Sequence, residues 1–129
     1  MVERIFSIFS TFARDLSSNF FPEDFLMKDK IKEYVKINLG IEDDETFELL
    51  YENYLETVAE CIGKIENALK EKNSVELRYA AHALKGCSAN IGAEDIRRAS
   101  YDIEMAAKNV NLDLCTAPFE EIKNLQKLL

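Results

Sequence analysis

Between Thr46 and Glu71 only Gly63 interrupts a run otherwise free of glycine and proline, and within it Leu50, Tyr54, Val58, Cys61, Ile65 and Ala68 recur every three or four positions. That spacing lines apolar side chains along one face of a 3.6-residue helix, so the stretch reads as one long amphipathic helix. This feature constrains the rest of the fold, because such a stripe must be buried against other elements of comparable length. The chain holds only four Gly and two Pro in 129 residues, too few turn formers for a many-stranded sheet.

The same period continues on both sides. Asn73 and Glu76 form a capping-box-like start for Leu77, Ala81, Leu84, Ser88 and Ile91, and Gly92 ends that helix. Glu94 and Asp95 open the next, carried by Ile96, Ala99, Ile103, Ala106 and Val110. Pro118 marks the first turn of a final helix with Phe119, Ile122, Leu125 and Leu129. Upstream, Ile5, Phe9, Phe12 and Leu16 predict a helix over 2–20. Pro22 opens a further one running to Leu39, with Gly40 as its stop and Asp43 and Asp44 at the start of the long helix. The expected fold is all-α: an antiparallel four-helix bundle with two additional N-terminal helices. Residues 1–21 form an amphipathic helical extension and residues 22–129 the bundle domain.

A formal net charge of −8 argues against a general affinity for nucleic acid or an anionic membrane. No apolar run reaches membrane-spanning length. The first residues have the apolar character of a signal peptide, but Glu3 spoils the basic start and the stretch continues as an amphipathic helix. Cys61, Cys87 and Cys115 are odd in number and far apart, which reads as reduced thiols in a cytoplasmic protein and not as a zinc site. Glu42, Asp43, Asp44 and Glu45 suit a helix start better than a metal site. No metal and no cofactor is expected.

His82 is the only histidine. At 100° per residue it lies away from the stripe through Leu77, Ala81, Leu84, Ser88 and Ile91, on a face shared with Arg78, Tyr79, Lys85, Gly86 and Ala89. A solvent-facing imidazole between two cations is therefore expected in the middle of a helix. Gly86 is unusual there, since a mid-helix Gly costs about 0.8–1.0 kcal/mol relative to Ala. A bare spot one turn after His82, kept low by Ala89, clears space for a second molecule. A neutral imidazole nitrogen is a good nucleophile and can hold a phosphoryl group as a phosphoramidate. Lys85 would offset the added charge and Arg78 would assist. The competing reading is a surface histidine of no consequence, and composition and periodicity leave the two open.

The run Ala81-His82-Ala83-Leu84-Lys85-Gly86-Cys87-Ser88-Ala89-Asn90-Ile91-Gly92 resembles the signature of histidine-containing phosphotransfer (HPt) domains, His-x-Leu-Lys-Gly followed six residues later by Gly. His82, Leu84, Lys85, Gly86 and Gly92 all match, and the resemblance covers roughly residues 25–129. It implies His82 as the phosphorylation site, Lys85 near the phosphate and Gly86 admitting the partner; Tyr79, on the same face as His82, borders that docking surface or caps the bundle edge. Cys87 departs from the small polar residue frequent at that position. The implied partners are receiver domains of response regulators or a hybrid sensor histidine kinase, with the chain acting as a monomer. No nucleotide-binding Gly-rich loop is present in the sequence, so the expected role is a phosphocarrier and not an enzyme that uses ATP. The alternatives are a helical adaptor that binds receivers without transfer, and the phospho-accepting module of a larger kinase.

Overall fold

The computed structural model describes residues 23–129, and all regular structure among them is helical. Helix α1 spans Glu23–Leu39, α2 Asp44–Lys70, α3 Ser74–Ile91, α4 Glu94–Lys108 and α5 Thr116–Gln126, with a 3-10 turn at Leu112–Cys115 leading into α5. The helix expected over 2–20 lies outside the described residues. None of the described helices is long and apolar enough to cross a membrane.

Short-range chemistry sets the helix ends. The Asp43 carboxylate accepts the Thr46 N–H at 2.9 Å and caps α2. The Asn73 side chain accepts the Glu76 N–H at 3.1 Å and caps α3. Gly92 closes α3 with φ +79°, and Ala93 N–H returns to the Ser88 carbonyl at 2.9 Å. Gly92 also serves a second purpose: the Tyr34 ring of α1 stands where a Cβ would be. The glycine is needed both for its backbone conformation and for the close approach of α1.

The predicted stripes form the core. Tyr54, Val58, Cys61, Ile65 and Ala68 of α2 are buried, as are Leu77, Ala81, Leu84, Ser88 and Ile91 of α3. So are Ile96, Ala99, Ile103 and Ala106 of α4, and Phe119 and Ile122 of α5. From α1, Ile31 and Val35 join them. Leu50 is only half-buried. Phe47 and Tyr51, stacked at 5.6 Å between ring centroids, take the inner positions there.

The sequence places Val110 last in the α4 stripe, and the structure overturns this. The α4 helix stops at Lys108, and Val110 adopts φ +55° with 71 % of its surface exposed. The backbone N–H groups of Asn109, Val110 and Asn111 fold back onto Met105, Ala107 and Ala106 carbonyls, which redirects the chain into the 3-10 turn before the period can continue.

Two features fix how α3 sits. Tyr54 and Ser88 share a buried hydrogen bond of 2.7 Å, which satisfies the one polar member of the α3 stripe and sets the roll of α3 against α2. On its other flank α3 packs antiparallel and most closely on α4, where Ala80, Ala81, Ala99, Ser100, Ala106 and Ala107 are all buried. Small side chains at that seam let the two backbones approach.

Candidate functional site

With Leu84 and Ala81 fully buried, the helical period turns His82 outward, and its side chain is 68 % exposed. The imidazole does not float free. Its Nδ1 lies 2.6 Å from Oε2 of Glu104, a residue of α4 whose own side chain is only 12 % exposed. The other carboxylate oxygen of Glu104 accepts from Lys85 Nζ at 2.9 Å. One carboxylate therefore clamps the two residues that the α3 sequence singles out.

Electrostatics settle the proton. Burial pushes the Glu104 carboxyl up, but the hydrogen bonds from Lys85 and His82, reinforced by their charges, outweigh it and hold the group below the usual carboxylate range. Glu104 is thus an anion at neutral pH and can only accept from the ring. A ring N–H on Nδ1 therefore faces the carboxylate, and in the neutral imidazole this places the lone pair on Nε2. An exposed imidazole held at one nitrogen by a carboxylate is a group that can act as a nucleophile through the other nitrogen.

The other expected residues divide. Gly86 is exposed, and a Cβ built there would meet nothing within 4 Å, so the bare spot beside His82 is open among the described residues. Tyr79 is 66 % exposed on the same face. Ala89 is exposed too, and its carbonyl accepts the Tyr34 hydroxyl at 3.5 Å. Arg78 is exposed one turn before His82 and makes no ion pair with a described residue. Lys85 is half-buried and already engaged by Glu104, where the sequence suggests a cation waiting for phosphate. Gly92 holds the helix end, as expected. Cys87 is half-buried, its Sγ donates to the Leu84 carbonyl, and burial pushes the thiol up, so it offers no thiolate to the site.

Sequence reasoning missed Glu104 and, beside it, Tyr101, whose ring centroid lies 5.6 Å from Lys85 Nζ. A usable signal existed. Gly92 and Glu94 bracket the tight α3–α4 connection, and ten residues back from the first is His82, ten forward from the second Glu104. Equal arms of an antiparallel hairpin put those two side by side.

Three comparisons bear on this geometry. The model of the family described as Hpt domain matches residues 49–129, a span that contains His82, Lys85, Gly86, Tyr101 and Glu104. The phosphorelay intermediate protein rdeA of Dictyostelium discoideum is 33 % identical over 82 residues, which cover 64 % of this chain and 32 % of that protein. The chain thus matches about a third of that curated relative's length. No solved structure matches it.

Proposed function

The chain belongs to the Hpt domain family, and from that premise we propose that it is a histidine phosphotransfer protein that carries a phosphoryl group on Nε2 of His82 between aspartyl-phosphate receiver domains of a phosphorelay. The observation that carries the reading is the His82–Glu104 hydrogen bond, which fixes the tautomer of an exposed imidazole and frees its outer nitrogen.

In the forward step the Nε2 lone pair attacks phosphorus of the partner's aspartyl phosphate. A new N–P bond forms, the acyl P–O bond breaks, and the aspartate carboxylate leaves with the electron pair. No proton has to move: Nδ1–H stays on the ring, and the positive charge the ring acquires faces the Glu104 carboxylate. Lys85, one turn along α3, and Arg78, one turn before, supply positive charge for the phosphoryl oxygens. Reversal onto a second aspartate completes the relay. Gly86, with Tyr79 and Ala89 at its border, is the spot where the receiver approaches.

In this reading α2 to α5 constitute the family's four-helix bundle, α1 is an added helix within a domain of residues 22–129, and residues 1–21 are an extension. Partners are response-regulator receivers and a hybrid sensor histidine kinase. The protein works as a cytoplasmic monomer, its three cysteines free thiols, and it makes its phosphohistidine from a partner and not from ATP.

The test is phosphotransfer from phosphorylated receiver domains. Wild type should acquire an acid-labile, base-stable label that H82Q lacks. Receiver binding without label on wild type would replace the carrier by an adaptor.

A further inference from the structure

Lys85 is held on two sides. Glu104 accepts a hydrogen bond from its Nζ at 2.9 Å, and the ring centroid of Tyr101, one helical turn before Glu104 on α4, lies 5.6 Å from the ammonium nitrogen. That separation is within the range over which a ring quadrupole attracts a cation. Tyr101 is 44 % exposed, so core packing alone does not account for its position. Resting on the proposal that His82 carries the phosphoryl group, we infer that Tyr101 is a positioning residue for the transfer: its ring confines Lys85 beside His82, so that the ammonium is in place when the phosphoryl group arrives.

The physical reason is rotamer freedom. A lysine side chain has four rotatable bonds and carries a large entropy that must be surrendered to hold a phosphate oxygen. Glu104 alone fixes the distal atom but leaves the ammonium free to swing on that single contact. The Tyr101 face closes the outer side and limits the swing. When His82 becomes phosphorylated, Lys85 needs to shift only toward a neighbouring anion one turn away on its own helix, not be gathered from solvent.

The experiment compares wild type with Y101F, Y101L, K85A and the K85A/Y101L double variant in two measurements. The first is the rate of transfer from a phosphorylated receiver to His82. Y101L should slow it by about two- to fivefold, Y101F should rescue it to near wild type, and in the K85A background Y101L should have no further effect. The second needs no partner: in the NMR spectrum the Lys85 side-chain protons of wild type and Y101F should carry the upfield ring-current shift that Y101L lacks. Equal slowing by Y101F and Y101L, an undiminished effect of Y101L in K85A, or the absence of the ring-current shift would each overturn the inference. Loss of label on wild type with the ring-current shift intact would instead remove the carrier role while leaving the Lys85–Tyr101 contact standing; the positioning role would fall with it.

Discussion

At the scale of single residues, the proposed chemistry is divided between His82, the phosphoryl acceptor of the proposal, and the Glu104 carboxylate that holds its ring. Glu104 gives His82 its tautomer and Lys85 its place with the two oxygens of one group. Replacing it by glutamine keeps the shape but removes the charge that makes both bonds strong. A hydrogen bond to a charged group contributes about 1.5–3 kcal/mol. E104Q should therefore slow transfer to His82 by about ten- to a hundredfold, and the NMR signature of the ring should change from Nδ1-protonated to a mixture of tautomers. The variant should still fold, because Glu104 sits at the rim of the α4 stripe and not within it. An E104Q protein with unchanged rate and tautomer would remove the clamp from the mechanism.

At the scale of elements, Gly86 within α3 and Gly92 just past its end have opposite reasons to be there. Gly86 meets nothing, so a side chain fits and the helix gains. G86A should raise stability by about 0.8–1.0 kcal/mol in urea unfolding. G86R, which projects a long side chain over the approach to His82, should fold equally well yet reduce receiver transfer by about tenfold or more, the factor that 1.4 kcal/mol of lost docking implies. Stability retained with function lost is the expected pattern, and transfer at the wild-type rate in G86R would show that the partner does not pass this spot. Gly92 is constrained on both counts, with positive φ and Tyr34 in its Cβ position. G92A should cost about 1–2 kcal/mol from backbone strain alone, and more from the displaced ring. In a Y34A background that second part should vanish, so the double variant should be less unstable than the sum of the two singles. Simple additivity would mean that α1 docks without using the Gly92 gap.

At the scale of the whole molecule, the bundle keeps several weak acids protonated in its interior. Burial pushes the Tyr54 hydroxyl up, and it does the same to the thiols of Cys61, Cys87 and Cys115. Each acid has a higher pKa folded than unfolded. Its contribution is complete below the unfolded value, near 9.0 for the thiols and 10.0 for tyrosine, and is lost as pH rises beyond it. The urea midpoint should hold steady from pH 7 to about 8.5 and then fall continuously. Y54F should flatten the part of the decline above pH 10 while lowering the midpoint throughout, because Ser88 loses its buried partner. A midpoint independent of pH up to 10.5 would contradict the burial of these groups.

Most of the helical layout was legible in the chain because its causes are local. Caps at Asp43, Asn73 and Gly92 act over three or four residues, and the apolar period states which face each helix buries. The exposed His82 and the bare Gly86 follow from the same period. Val110 escaped because the end of α4 is set by backbone bonds that compete with the pattern, not by the pattern itself. The sequence by itself therefore determined most of the helical layout, which faces turn inward and where an exposed imidazole stands. Only the tertiary structure decided what meets that imidazole: Glu104 against its Nδ1, Tyr101 over Lys85, Tyr34 in the space of Gly92. Those contacts join different helices, and they depend on how closely the helices approach and in what register, which small buried residues along the α3–α4 seam set and no short-range period encodes.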